Sequence, residues 1–373
     1  MLKVAHVTSV HSRYDIRIFR KECRTLAANG YNVFLVVADG KGDEINDGVK
    51  IIDAGLLRGR LNRIFRTTRN VLRRSKELNA DIYHLHDPEL LPIGLKLKKQ
   101  GKVVIFDSHE DVPKQLLSKP YLSPTIRRLV SVAFSFFERF ACPKLDGILT
   151  ATPFIRDKFL AINPNTLDIN NFPMIGELDA DVPWDQKKNE ICYVGGITSI
   201  RGIREVVTAL KYVKNDVRLN LVGGFSEPGL ETESKQLEGW SFVNQCGQLG
   251  RSEVREVLGR SIAGLVTFHP LPNHVDAQPN KMFEYMSSGI PVIASNFPLW
   301  REIIEGNDCG ICVDPLDSKA IAESIDYLLG NPDRAKQMGL NGQKAVFAHY
   351  NWDLEGRKLL NYYSDLKKSK GLV

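Results

Sequence analysis

Three short stretches in the first 110 residues set histidine beside carboxylate. His11, Arg13, Asp15 and Arg17 follow the run KVAHVTSV, His86 and Asp87 follow IYHL, and Asp107, His109 and Glu110 follow VVIF. Histidine next to a carboxylate is the pairing that general acid–base chemistry uses. One such histidine alone reads as a structural hydrogen-bonding group. Its recurrence after three separate apolar runs reads as a functional cleft at the carboxyl ends of parallel strands, where open α/β sheets bind their ligands.

The second half carries a different chemistry. In YVGGITSIRGIREVV, Gly195, Gly196 and Gly202 surround Arg201 between an expected strand and an expected helix. Glycines let backbone approach a phosphate, and the N-terminus of the following helix favours negative charge. Gly223 and Gly224 end the next strand. In HPLPNHVDAQPNKMFEYMSSGIPVIAS, Asp276 falls in a loop, Pro279 or Asn280 opens a helix that contains Lys281 and Glu284, and Gly289 closes it. The first amides of that helix suit a diphosphate, and Glu284 suits the vicinal hydroxyls of a ribose.

The elements that must hold these residues alternate between strand and helix. KVAHVTSV, YNVFLVVAD, VKIIDAG, DIYHLHD, KVVIFDSHE and DGILTA are short and rich in Val and Ile, with polar or helical sequence between them. The alternation restarts with EICYVGG, VRLNLVGG, WSFVNQCG, GLVTFHP, PVIASN and GICVDP. Continuous apolar strands separated by helices imply parallel sheets covered on both faces. The chain of 373 residues therefore reads as two doubly wound α/β domains. Their boundary falls in the aperiodic, proline-containing stretch Asn170–Trp184. This gives an N-terminal domain over 1–170 and a second over 171–349. The amphipathic segment over 350–373 is expected to pack back across the junction.

Composition excludes several classes. At 43% hydrophobic and 25% charged the chain is an ordinary globular protein. Its longest strongly apolar stretch, Leu129–Phe137, is far short of the roughly 20 residues of a membrane span. The N-terminus lacks the layout of a signal peptide, which predicts a cytoplasmic location. Six scattered cysteines read as reduced thiols, and Cys309-Gly-Ile-Cys312 as part of a core strand. TSVHSRYD stands where a dinucleotide-binding G-x-G-x-x-G would be, and no P-loop motif occurs, which removes nicotinamide and P-loop chemistry.

Charge is divided unevenly. Residues 1–175 carry 28 Lys and Arg against 18 Asp and Glu, and the remainder 22 against 26. The excess concentrates in residues 56–79, where Arg63, Arg66, Arg69 and Arg73 recur at helical spacing beside Arg58, Arg60, Arg74 and Lys76. Such a face is either solvated or docks on an anionic membrane surface. No nucleic-acid motif accompanies it. The segment Thr125–Lys144 reads as a helix whose several phenylalanines imply either core, the default, or an apolar face inserted into an interface.

Taken together, these segments resemble the retaining family-four glycosyltransferases of GT-B fold. D-A-Q-P-N-K-M-F-E resembles their E-x7-E signature with Asp276 in place of the first Glu, and YVGGITSIRG resembles their phosphate loop. HSRYDIRIFRKE, HDPELLPIG, DSHED and YNWDLEGRKLL extend the likeness over nearly the whole chain.

The resemblance implies two Rossmann-like domains facing across a cleft, with His11, Arg13, Asp15, His86, Asp87 and Glu110 on the acceptor side. It implies that Glu284 binds the nucleotide ribose, Asp276 contacts the donor sugar, Arg201 replaces the phosphate-loop lysine and His109 lies beside the sugar. Gly195, Gly196, Gly224, Asn280 and Lys281 complete the donor site. The family's loop arginine falls on Gly196, and Lys281 is the expected compensation.

The implied reaction moves a sugar, with retention and without a metal, from a UDP- or GDP-sugar co-substrate to a saccharide or polyprenyl-diphosphate-linked acceptor, as in cell-surface polysaccharide synthesis. The D-x-D pattern Asp179-Ala-Asp181 lies in the boundary stretch and reads as chance. No other cofactor is implied. The alternatives are a GT-B-like nucleotide-sugar epimerase and a non-catalytic nucleotide-sugar-binding subunit.

Overall fold

The computed structural model describes residues 1–56, 59, 66–118, 122–180 and 182–372. The chain divides into two compact units, Met1–Asn171 with Leu354–Val373, and Phe172–Asp353. The C-terminal helix Trp352–Ser369 thus lies in the first unit from Leu354 onward. Within that unit, Glu355 accepts from the Asn170 amide at 2.7 Å.

The first unit is built on an eight-stranded sheet. Its strands are β1 (Lys3–Val7), β2 (Asn32–Val37), β3 (Glu44–Asn46), β4 (Val49–Asp53), β5 (Ile82–Leu85), β6 (Val103–Ser108), β7 (Gly147–Thr150) and β8 (Thr166–Asp168). They lie in the order β3-β4-β2-β1-β5-β6-β7-β8. All neighbours are parallel except β3, which pairs antiparallel with β4 at the edge. The central strands are buried on both faces, so their sequences run apolar without alternation. β3 and β8 hold three residues each, too few to show a pattern, and the sequence reading missed both.

The second unit has a six-stranded parallel sheet of β9 (Glu190–Val194), β10 (Arg218–Val222), β11 (Val243–Gly247), β12 (Ala263–Val266), β13 (Val292–Ser295) and β14 (Gly310–Val313). The order is β11-β10-β9-β12-β13-β14. Chain order reverses at β9, next to β12, which makes that junction the topological switch point where ligands of such sheets bind. Trp300 is fully buried there, donating its indole N–H to the Ala277 carbonyl at 2.7 Å and packing against Phe268 and Phe297.

Local structure corrects several readings. The segment after β1 is not one α-helix: Ile16–Cys23 is π-helical and only Arg24–Ala28 is α-helical. Asp15 caps it, accepting from the amides of Arg17 and Ile18 at 2.9 Å each. The core reading of the phenylalanine-rich segment is overturned. In the helix Pro124–Ala141, Leu129 and Phe136 are 68% exposed, and Val132 and Phe140 also face outward. Phe134 and Phe137 cover the core from its other side. Alternation of this kind is amphipathic, and the solvent-facing stripe is itself apolar.

Of the basic segment, Arg58, Arg60 and Arg63 lie outside the described residues. Arg66, Arg69, Arg73 and Lys76 are exposed on and beside the helix Thr68–Leu78, while Arg74 is held by Asp43 at 2.6 Å. Asp181 of the D-x-D pattern also lies outside the described residues. All six cysteines are free thiols, and burial pushes Cys309 up to about 12.

Trp300→Ala should destabilise the second unit by about 3–5 kcal/mol, the usual cost of emptying a buried tryptophan site. Chemical denaturation followed by circular dichroism measures it; a loss under about 1 kcal/mol would mean the loop above Trp300 closes over the gap.

Candidate functional site

In the second unit, the loops leaving β9 and β10 are stitched together at their carboxyl ends. Gly195 N–H donates to Val222 and Ile197 N–H to Gly224, at 2.9 and 3.0 Å. The approach is so close that a Cβ on Gly223 would stand 2.0 Å from the Gly195 carbonyl oxygen. Gly202 caps the helix Ile203–Leu210 at φ 76°, and a Cβ there would stand 2.0 Å from the Thr267 oxygen. These two glycines are therefore required by backbone packing. Gly195, Gly196 and Gly224 are all half-buried in these loops.

Two cations converge there. Arg201 donates to the Gly196 carbonyl at 3.0 Å, and its Nη1 lies 3.0 Å from where a Cβ on Gly196 would be. Arg201 thus occupies the space of a side chain at 196, which explains how the loop dispenses with a second arginine there. Lys281 enters from the helix Asn280–Ser287 and passes beside Gly195. Its ammonium sits over the Tyr193 ring at 3.5 Å, and both cations lie near the Phe268 face.

Lys281 Nζ is buried and makes no hydrogen bond. Burial, reinforced by the Arg201 charge, holds its pKa well below the ordinary lysine value. Thr198 Oγ1, Thr267 Oγ1 and Gln278 Oε1 are likewise buried without partners. Buried polar groups are nearly always satisfied, so the bare Lys281 ammonium beside the glycine loop marks a place for a polar ligand.

Asn280 opens the helix after Pro279. Glu284, one turn on, accepts from Arg251 at 2.8 Å, and Arg251 also makes a two-point bond to Glu177. Burial alone would lower the Arg251 pKa; the two carboxylates outweigh it and raise it. Sequence reasoning missed Arg251 and Glu177 because neither lies in a motif. Asp276 sits half-buried in the turn between β12 and this helix.

In the first unit, the β1, β5 and β6 ends do bring most of the expected residues together. Asp87 accepts from Thr8 Oγ1 at 2.8 Å and from the Ser9 amide at 2.6 Å, and its other oxygen is 3.4 Å from His11 Nε2. His11 Nδ1 lies 3.3 Å from Asp15. Burial would lower the His11 pKa, but the Asp15 hydrogen bond and the Asp87 charge outweigh it and raise it. His109 Nε2 lies 3.0 Å from Asp107 and 3.2 Å from His86 Nδ1. Burial pushes His86 down to about 3.

Asp107 is fixed by a two-point bond from Arg17, at 2.9 and 2.7 Å. Burial favours its neutral form, yet the Arg17 charge and His109 hold it well below the usual carboxylate range. Arg13 and Glu110 do not join the group. Arg13 turns to Asp39, at 2.7 Å through each of two nitrogens, and Glu110 is exposed and accepts from Gln115. Three residues that sequence reasoning left out, His6, His84 and Glu22, lie fully buried behind His86. Their signal was polar residues inside otherwise apolar strands and the helix that follows.

Two Rossmann-like parallel-sheet units, one with a glycine-rich anion loop at its switch point, define the GT-B fold of sugar-transferring enzymes. Comparison agrees: residues 175–345 match the glycosyl transferases group 1 family and residues 16–167 match glycosyltransferase family 4. The chain belongs to the group 1 glycosyltransferases.

It is 27% identical over 192 residues to the capsular polysaccharide biosynthesis glycosyltransferase CapM of Staphylococcus aureus, covering 48% of this chain and 47% of CapM. It is 25% identical to the alpha-maltose-1-phosphate synthase of Mycolicibacterium smegmatis over 61% of this chain and 65% of that protein. The chain thus spans about half to two thirds of these relatives' length. Among solved structures, the sucrose-phosphate synthase of Thermosynechococcus elongatus superposes with a TM-score of 0.78 at 20% identity, covering 99% of this chain and 100% of that one.

The raised pKa of His11 gives a pH signature. Its interaction with Asp15 and Asp87 stabilises the fold fully below the unfolded histidine value of about 6.5 and is lost as pH rises through the higher folded value. His11→Asn should therefore be less stable than the native chain in mild acid and equally stable in mild alkali. Urea melts across that range measure the difference, and a pH-independent gap would show that His11 is not charged in the fold.

Proposed function

We propose that the chain is a retaining glycosyltransferase that takes a sugar from a UDP- or GDP-sugar and passes it to a saccharide or polyprenyl-diphosphate-linked acceptor in cell-surface polysaccharide synthesis. The observation that carries this reading is the unpartnered ammonium of Lys281 beside Arg201 over the Gly195–Gly196 loop. A diphosphate supplies the anion that both cations lack. As the glycosidic bond breaks, charge grows on the departing diphosphate, and Arg201, Lys281 and the first amides of the helix Asn280–Ser287 stabilise it. Two fixed cations make a metal at the diphosphate unnecessary, so added magnesium or manganese leaves the rate unchanged.

Glu284 accepts the ribose hydroxyls while Arg251 holds its other oxygen, and Asp276 contacts the donor sugar. His109, aligned by Asp107, serves at the sugar, with His11, Asp15 and Asp87 shaping the acceptor side and the buried His86 supporting His109 from behind. Retention follows from attack on the face the diphosphate leaves, with a phosphate oxygen taking the acceptor proton. Capsular polysaccharide synthesis by CapM favours a glycan acceptor.

Isothermal titration with UDP and GDP tests the site. Arg201→Ala, Lys281→Met and Glu284→Ala should each weaken the bound nucleotide about 10- to 100-fold, the worth of one charge-assisted hydrogen bond. Native binding should also take up a proton, because the anion raises the depressed lysine pKa, so affinity falls as pH rises. Unchanged affinity in all three variants would remove the assignment. His109→Ala should lower turnover with little change in nucleotide affinity.

We further assign the membrane-facing surface to the exposed stripe Leu129, Val132, Phe136 and Phe140, with Arg128, Arg139 and Lys144 beside it, together with the exposed Arg66, Arg69, Arg73 and Lys76. Lys144 lies 3.0 Å from the Phe140 ring centre, a snorkelling arrangement suited to a headgroup boundary. On this reading the enzyme works at the cytoplasmic face of the membrane. Phe136→Glu should abolish flotation with vesicles containing anionic lipid. Flotation that ignores both the substitution and the lipid charge would refute the surface.

A further inference from the structure

Behind the histidines that face the acceptor side lies a second group with a different chemistry. His6 on β1 and His84 on β5 are register partners, and His86 follows His84 two residues on, so all three imidazoles meet over one sheet face. Glu22 reaches the same point from the π-helical segment. His6, His84 and Glu22 are completely buried and His86 is 2% exposed. One ligand atom from each of the four lies within 4.8 Å of every other.

We propose that His6, His84, His86 and Glu22 bind one divalent metal ion of the zinc class. The distances fit. His6 Nδ1 is 2.9 Å from His86 Nε2 and 3.7 Å from Glu22 Oε2, which is 3.9 Å from His86 Nε2. Tetrahedral zinc with bonds of about 2.0–2.1 Å sets its ligand atoms roughly 3.3 Å apart, so shifts of some tenths of an ångström seat His6, His86 and Glu22, and His84, within 4.8 Å of them, closes in as the fourth ligand.

The hydrogen bonding also fits. Glu22 Oε2 and His84 Nε2 are buried with no hydrogen-bond partner, and an ion satisfies the atoms aimed at it. The far sides of two imidazoles are already held: His84 Nδ1 by Tyr363 Oη at 2.9 Å, and His86 Nδ1 by Asp107 at 3.3 Å. Donation from those nitrogens leaves both Nε2 lone pairs pointing inward, the carboxylate–histidine–metal arrangement that orients ligands in metal centres. His6 ligates through Nδ1 and keeps its proton on Nε2.

Charge points the same way. Glu22 and Asp107 share one buried guanidinium, Arg17, at 3.1 and 2.7 Å, so a cation offsets the surplus negative charge. Three imidazoles and one carboxylate select zinc-like ions over magnesium or calcium, which require oxygen ligands. The neighbouring group His86, Asp107 and His109 offers only three donors, and its carboxylate is already committed to Arg17. The ion would be structural. It ties β1, β5 and the π-helical turn together and holds His86, which contacts His109 on the acceptor side. This inference does not depend on the transferase reading.

The test uses the full chain without an affinity tag that binds metal. After chelator treatment and desalting, Co²⁺ is titrated in as a spectroscopic stand-in, followed by Zn²⁺ competition. The expected result is saturation at one ion per chain, with the intense ligand-field absorption of a tetrahedral site, displaced by Zn²⁺ and accompanied by a higher melting temperature. Glu22→Gln, close in size to the native residue, should weaken binding by at least about 10-fold, and Tyr363→Phe by a similar factor through loss of the hydrogen bond that orients His84. No saturable uptake by the native chain would overturn the proposal. So would a weak octahedral spectrum, or tetrahedral binding that persists undiminished in Glu22→Gln, which would place the ion elsewhere.

Discussion

An ammonium buried without a hydrogen bond costs a fold free energy, and the second unit accepts that cost at Lys281. Nothing in the local packing requires a lysine there: the side chain lies against Tyr193 and Phe268, which would pack as well against a methionine. On the proposed reading, the lysine gives the molecule a nitrogen fixed in place before the ligand arrives and charged once the anion has bound. A preorganised cation needs no reorganisation as negative charge develops, which is the source of most electrostatic catalysis. The rest of the unit serves this arrangement. Gly223 and Gly202 draw three backbone segments to within contact of one another, and only that closeness brings Arg201 over Gly196 and Lys281 beside Gly195.

The first unit solves the opposite problem. It buries many titratable groups and keeps most of them matched. Arg17 neutralises Asp107, Asp107 orients His109 and His86, and Asp15 both caps the π-helical turn and holds His11. A π-helical turn places its side chains at a spacing an α-helix does not offer, and such turns recur at functional sites. Here the widened turn lets Arg17 and Glu22, five residues apart, reach the same Asp107 and histidine group.

Sequence alone carried the architecture because fully buried parallel strands leave a strong trace: six apolar runs in each half became strands. β3 and β8 left none, being three-residue edge strands. The helix Pro124–Ala141 was misjudged for a physical reason. Apolar residues on several sides of a helix look the same in sequence whether a second protein layer or something outside the chain covers the outer stripe, and only the exposure of Leu129 and Phe136 separates the two. Motif-bound residues such as Arg201, Lys281 and Glu284 were legible because loop glycines and a helix start fix their surroundings. Arg251 and Glu177 were not, since an ion pair between distant segments has no periodicity.

His6 and His84 show the sharper limit. A histidine inside an apolar strand reads as a satisfied core residue, and by sequence that is the better reading for each alone. Register changes it. Because β1 and β5 are adjacent and parallel, His6 stands opposite His84, and the two-residue repeat of the strand adds His86 to the same face. Five of the chain's eight histidines thereby gather around Asp107 and Glu22. Hydrophobic burial explains the strands but not this choice of residues, since valine or isoleucine would fill the same positions without orphaned nitrogens. The outer members of the group, His11 and His109, face the sheet's carboxyl edge. The inner ones are out of reach of any substrate, so their chemistry must be directed at something held within the unit itself.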